Sequence, residues 1–272
     1  MNLSIVANLN ELRVKREEII KKFSLLCEYL KPLGYSGIEL SILKPEKINT
    51  KALMEVSNSF DMKIPALGTG GTYIRFGYSL GHKKRSIRKK AIKRIHEYIN
   101  FAANTESKVI IGLIRGRYSR KNSPEKEKEN IFSSLTNCIE LAEDQNVMLA
   151  LEPINRFEID SYHTLSNSLE LIENLDSDNI KLLADTFHIH LEENPNTIWD
   201  TLRQNVSEIG HIHLADCNRR IPGSGHFDFK TFVNIFRNSG YKGFYSLETI
   251  MKPSFEDVAE ESAKYLRNIF NE

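Results

Sequence analysis

The stretch Leu149-Ala-Leu-Glu152-Pro-Ile-Asn-Arg156-Phe-Glu158 runs apolar, ends in a carboxylate and breaks at once at Pro153. Such a run reads as a strand buried on both faces, which need not alternate in polarity. Acidic residues are poor strand formers, so a carboxylate at the last strand position is a positional signal. The pattern recurs: Ile180–Asp185 closes on Asp185, Gly243–Glu248 closes on Glu248, and His211–Ala215 carries His213 near its end.

Working outward, the opening strand is read as Val147–Glu152, and the other apolar runs are Leu3–Ala7, Gly37–Ile42, Lys63–Leu67 and Lys108–Leu113. Helix-period segments separate them, near Lys15–Leu30, Pro45–Phe60, Lys84–Ala103, Pro124–Gln145, Thr164–Leu175, Pro195–Leu202, Phe229–Ser239 and Ser254–Phe270. Strands and helices in strict alternation, eight of each, predict an α/β protein that closes as a (β/α)8 barrel rather than an open sheet. A chain of 272 residues fits one such domain over 1–272, since the architecture takes about 250.

The composition narrows the function classes. Hydrophobic residues make up 40% and charged residues 27%, as in soluble globular proteins. A formal net charge of +1 gives no global field that would select nucleic acid or a membrane. Cys27, Cys138 and Cys217 are an odd, sparse set, a poor disulfide framework that suits a reducing compartment. The start of the chain lacks a basic segment followed by a long apolar one, and no run is long enough to span a bilayer. A cytoplasmic protein is expected. The basic run His82–Arg94 places Ile87, Ala91 and Ile95 four apart, so its lysines read as the solvated face of a helix. Gly68-Thr-Gly-Gly71 has neither the Lys-Ser/Thr ending of a phosphate loop nor GxGxxG spacing, and reads as a tight loop after the third strand. Asp228 reads as a helix N-cap.

In a barrel of this kind the chemistry sits at the C-terminal ends of the strands. Glu152, Asp185, His213 and Glu248 then share one rim. Three carboxylates and one imidazole, with no CxxC in the chain, suit a single divalent ion of the Mn²⁺, Mg²⁺ or Co²⁺ kind. Such an ion polarises a carbonyl and its neighbouring hydroxyl, while two carboxylates serve as general base and acid. Taken singly, Glu152 could be a structural partner of Arg156, and His188 a satisfied loop histidine. His211 and His213, two apart in a strand, point the same way. Arg115-Gly-Arg117 follows the fourth strand, and two guanidinium groups at the rim would favour an anionic ligand held in bidentate fashion.

The strings LEPINRFE, LADTFHIHLEE, HIHLADCNRRIPGSGHFDF and GYKGFYSLE resemble the xylose-isomerase-like barrel superfamily, and within it the D-tagatose 3-epimerase group. GTGGTYIRFGYSLGH together with VIIGLIRGRY is similar to the 5-keto-L-gluconate epimerases of that group. The resemblance covers nearly the whole chain. It implies a TIM barrel, one divalent metal, most often Mn²⁺, no organic cofactor, and a homodimer or homotetramer. Carried over by position, it implies metal ligands at Glu152, Asp185, His213 and Glu248, and acid/base roles for Glu152 and Glu248. It implies further that Glu158, His188 and Arg219 hold the carbonyl end of a small keto sugar. Epimerases of neutral ketoses usually carry Glu where this chain has Asp216, and lack the Arg-Gly-Arg; a keto sugar acid bound by Arg115 and Arg117 is therefore the expected substrate. The implied reaction inverts a hydroxyl-bearing carbon beside the keto group through a cis-enediolate. Competing expectations are a neutral ketose 3-epimerase, a sugar isomerase, an inosose dehydratase and a nuclease like endonuclease IV. That nuclease needs several metals and more His and Glu ligands than this rim offers.

Overall fold

The computed structural model describes residues 2–9, 16–118 and 123–271. In chain order its elements are β1 (Asn2–Asn8), α1 (Arg16–Leu30), β2 (Gly37–Ser41), α2 (Thr50–Ser59), β3 (Ala66–Gly68), α3 (Gly70–Phe76), α4 (Arg85–Thr105) and β4 (Lys108–Ile111). They continue with α5 (Pro124–Asp144), β5 (Leu149–Leu151), α6 (Leu165–Leu175), β6 (Ile180–Asp185), α7 (Thr186–Glu192) and α8 (Ile198–Gln204). The last are β7 (Ile209–Leu214), α9 (Phe229–Asn238), β8 (Phe244–Leu247) and α10 (Phe255–Asn271). All neighbouring strands pair in parallel, and β8 returns to β1, so the sheet is a closed barrel in sequence order. This is the (β/α)8 fold expected from the alternation of strands and helices.

Strand side chains alternate between the barrel interior and the helix layer. Leu67, Val109, Leu149, Leu151 and Leu182 face outward and join the large core under the helices. Ala66, Ile110, Ala150 and Leu183 form a separate apolar cluster inside β3 to β6. The other half of the interior is polar: Ser4, Glu39, His211, His213 and Ser246 are all buried there. The barrel is thus filled asymmetrically, with apolar packing on one side and a buried charged group on the other.

Several boundaries differ from the sequence reading. The third strand covers Ala66–Gly68 instead of Lys63–Leu67, and Lys63 makes only an isolated bridge to Gly37. Pro65 has no N–H to give to a ladder, which explains the break. β7 begins at Ile209, two residues earlier than expected, and pairs there with Leu182 of β6. Gly68-Thr-Gly-Gly71 is not a tight loop; Gly70 opens α3, while Thr69 Oγ1 donates to Ile110 O at 2.6 Å. His188 lies in α7 rather than in a loop. Asp228 caps α9 as expected, accepting from Thr231 N at 3.0 Å. Lys15, the expected start of the first helix, lies outside the described residues. Among the described residues, no helix is long and apolar enough to cross a membrane.

Candidate active site

Strand parity aims Glu152, Asp185, His213 and Glu248 inward, and register brings them together. Asp185 pairs with His213 across β6 and β7, and His213 with Ser246 across β7 and β8. Three carboxylates converge on one imidazole nitrogen: His213 Nδ1 lies 3.4 Å from Glu152 Oε1, 3.5 Å from Glu248 Oε2 and 3.7 Å from Asp185 Oδ2. One ligand atom from each of the four lies within 4.8 Å of those of the others. His213 Nδ1 and Glu152 Oε1 are buried and make no hydrogen bond, a costly arrangement unless something else engages them. That donor set, hard oxygens with one imidazole, fits a divalent cation.

Asp185 and His213 are each committed so that one atom is left for the centre. Asp185 uses Oδ1 to cap α7, accepting from Phe187 N at 2.7 Å and His188 N at 3.2 Å, and its other oxygen faces His213. Gly112 has no Cβ because one would stand 2.3 Å from Glu152 Oε2. His213 is oriented from behind by Glu39, a residue the sequence reading passed over. Glu39 accepts from His213 Nε2 at 3.1 Å and from His211 Nε2 at 2.8 Å, and all three side chains are buried. Donating through Nε2 leaves Nδ1 as the free lone pair, the usual carboxylate–histidine arrangement behind a metal ligand. The shared direction read for His211 and His213 is observed, with His211 serving as the second donor to Glu39.

Electrostatics follow from this packing. Burial opposes ionisation of Asp185, but His188, His213 and Arg219 hold its carboxyl well below the usual range. Burial pushes Glu248 upward, and the charges of Glu152 and Asp185 add to that against the pull of His213. Burial works against a charged His213, and Glu39 with the surrounding carboxylates outweighs it, raising its pKa well above the ordinary value when no cation is bound; a divalent ion would take the place of the proton on Nδ1.

Glu152, His213 and Glu248 of the centre line a cavity of about 430 Å³, within the range of small-ligand sites. Glu158, His188 and Arg219 line it and are linked in one chain. Arg219 Nη1 donates to Glu158 Oε1 at 2.5 Å, Asn155 Nδ2 donates to the same oxygen at 2.9 Å, and Asn155 Nδ2 also reaches His188 Nδ1 at 2.8 Å. With Nδ1 engaged, His188 keeps Nε2 for the cavity. Arg219 sits at φ 60°, with its guanidinium over the Phe187 ring.

Arg115 and Arg117 do not line this cavity. The backbone turns at Gly112 into a short 3-10 helix over Leu113–Arg115, and Arg115 is directed inward instead of toward the mouth. It is wholly buried, and Nη1 donates to Ile111 O at 3.0 Å and Glu152 O at 2.6 Å. Arg117 Nε donates to Glu158 O at 2.9 Å. Arg115 ties backbone at the ends of β4 and β5 and Arg117 ties the loop after β5, so the expectation that they meet a substrate carboxylate has no support in their placement. The cation that does line the mouth is Arg75 of α3, an exposed residue that the loop reading of this segment missed. Arg156 pairs with Glu192 at 2.8 Å rather than with Glu152.

Residues 27–269 match the family model described as xylose isomerase-like TIM barrel. The chain belongs to that family. Within this barrel family it is 26% identical over 264 residues to the 3-dehydro-D-guloside 4-epimerase of Escherichia coli K12, covering 92% of this chain and 95% of that one. It is 24% identical over 243 residues to the L-ribulose 3-epimerase of Mesorhizobium japonicum, covering 87% and 78%. The solved structure of the 3-keto-D-glucoside 4-epimerase of E. coli superposes with a TM-score of 0.81 over 100% of this chain and 99% of that one, at 21% identity. At that identity the superposition speaks for the fold alone.

Proposed function

We propose that this chain is a carbohydrate epimerase that inverts a hydroxyl-bearing carbon beside a keto group. The observation that carries the reading is the pair Glu152 and Glu248. They come from β5 and β8, strands that are not neighbours, and reach the same imidazole nitrogen at the floor of a sugar-sized cavity. Inversion needs one group to remove a proton and a second to return one to the other face. Full-length relatives that act on sugars as 3- and 4-epimerases are consistent with it.

Glu152, Asp185, His213 and Glu248 would hold the divalent ion, for which Mn²⁺ is the proposed occupant. When bound, such an ion supplies Lewis-acid polarisation of the keto group and its neighbouring hydroxyl. The rest is done by the protein. Either Glu152 or Glu248 takes the proton from the carbon bearing the hydroxyl, and the other delivers one from the far side. Arg219 and His188 face the developing enediolate charge, with Glu158 and Asn155 holding both in place.

The proposed substrate is a keto sugar acid of the 5-keto-L-gluconate or D-tagaturonate type. Its support is Arg75, which lines the mouth and, among the described residues, makes no hydrogen bond or ion pair. Arg219, the other lining arginine, is already paired with Glu158. Neutral ketoses such as tagatose and psicose are the competing substrates. A panel of keto sugars and keto sugar acids turned over in D₂O with Mn²⁺ tests the reading. Deuterium should enter the inverted carbon, and activity should vanish on exhaustive chelation. Product formed without that deuterium, or full activity without metal, refutes it.

A further inference from the structure

Outside this site the rim carries a second group of ligand-type side chains, His190, Cys217 and His226, with one atom of each within 4.8 Å of the others. Cys217 Sγ lies 3.2 Å from His226 Nδ1, and the His190 and His226 rings meet edge to face with centroids 4.9 Å apart. His190 comes from α7, Cys217 follows β7, and His226 lies in the loop before α9. The loop is built to hold the thiol there. Buried Asp216 accepts from Cys217 N at 2.7 Å, Gly223 N at 2.8 Å and Phe227 N at 3.2 Å, folding both ends of the loop around one carboxylate. Gly225 leaves room for the sulfur, since a Cβ there would stand 2.5 Å from Cys217 Sγ.

We propose that His190, Cys217 and His226 form a second metal site, selective for Zn²⁺, that clips α7 to the loop bearing Arg219. One thiolate and two imidazoles are borderline-soft donors of the kind zinc takes, in contrast to the oxygen-rich centre at the barrel floor. Zinc bonds of about 2.0–2.3 Å put tetrahedral ligand atoms roughly 3.3–3.6 Å apart. The Sγ–Nδ1 distance is near that already, and the two histidines are exposed and free to turn inward. The fourth position would face solvent. Because His188 and Arg219 flank the clip in sequence, an ion there would fix both at the cavity wall.

The test uses protein preloaded with Mn²⁺ and titrated with Co²⁺, whose bond to a thiolate gives a near-ultraviolet charge-transfer band. The floor centre has no sulfur, and Cys27 and Cys138 are wholly buried. Wild type should therefore gain the band, saturating by about two equivalents because Co²⁺ can also displace Mn²⁺ from the floor, and Zn²⁺ should abolish it; affinities are read from the band alone. Cys217→Ser should lose the band, and His226→Ala should weaken Co²⁺ binding at least tenfold. Absence of the band in wild type, its persistence in Cys217→Ser, or unchanged affinity in His226→Ala would overturn the proposal.

Discussion

Replacing Glu39 by Gln should weaken the metal site without touching any group that faces the cation. The carboxylate now accepts two buried imidazole N–H groups, from His211 and His213. Glutamine keeps the shape but offers one acceptor oxygen, so the two donors compete for it. If His213 loses, it can turn over to the tautomer with hydrogen on Nδ1, and the lone pair aimed at Glu152, Asp185 and Glu248 disappears. Loss of such a partner typically costs 10- to 100-fold in metal affinity, about 1.4–2.7 kcal/mol. A buried donor left without an acceptor costs about 1–3 kcal/mol of folding stability as well. Free Mn²⁺ can be followed by electron paramagnetic resonance during titration of wild type and Glu39→Gln, with kcat measured at saturating Mn²⁺. The expected result is a 10- to 100-fold higher Kd and a kcat that recovers to within a few fold. A Kd within twofold of wild type would mean that Glu39 merely fills the barrel and that the orientation argument is wrong.

Glu152→Gln and Glu248→Gln should each reduce turnover by about 10²–10⁴-fold while leaving the fold intact by circular dichroism, since a single acid or base contributes that much; wild-type rates in either variant would exclude a two-carboxylate route. Arg75→Met should lower kcat/KM for a keto sugar acid about 10- to 100-fold, the worth of a charged hydrogen bond, and leave neutral ketoses unchanged; equal effects on both would return the enzyme to the neutral ketose class. Arg115→Met should show no such charge selectivity and instead cost about 1–3 kcal/mol in denaturant unfolding, because Glu152 O loses the guanidinium donor and Ile111 O keeps only Glu152 N; a selective loss on the acid would reopen a substrate role for it.

The contrast between these two arginines shows what a sequence conveys about a barrel rim. Glu152, Asp185, His213 and Glu248 were legible because strand parity fixes direction as well as position: a residue at the end of a barrel strand, in phase with the inward side chains, can point only to the centre. Arg115 lies four residues beyond Ile111, the last residue of β4. By then parity has lapsed, and the turn at Gly112 sends the guanidinium back onto the carbonyl of Ile111 and across to that of Glu152. Arg75 escaped notice for the complementary reason, since glycines suggested a loop where α3 lifts a cation to the mouth. Glu39 is legible by the same reasoning. It stands mid-strand in the apolar run Gly37–Ile42, and a carboxylate buried at that depth is unstable without a charged or donating partner. Its parity within β2 puts it inside the barrel, where His211 and His213 were already known to share a direction. The same two rules that found the four rim residues, a period of two and the cost of an unpaired buried charge, lead from His213 to Glu39 without any structure.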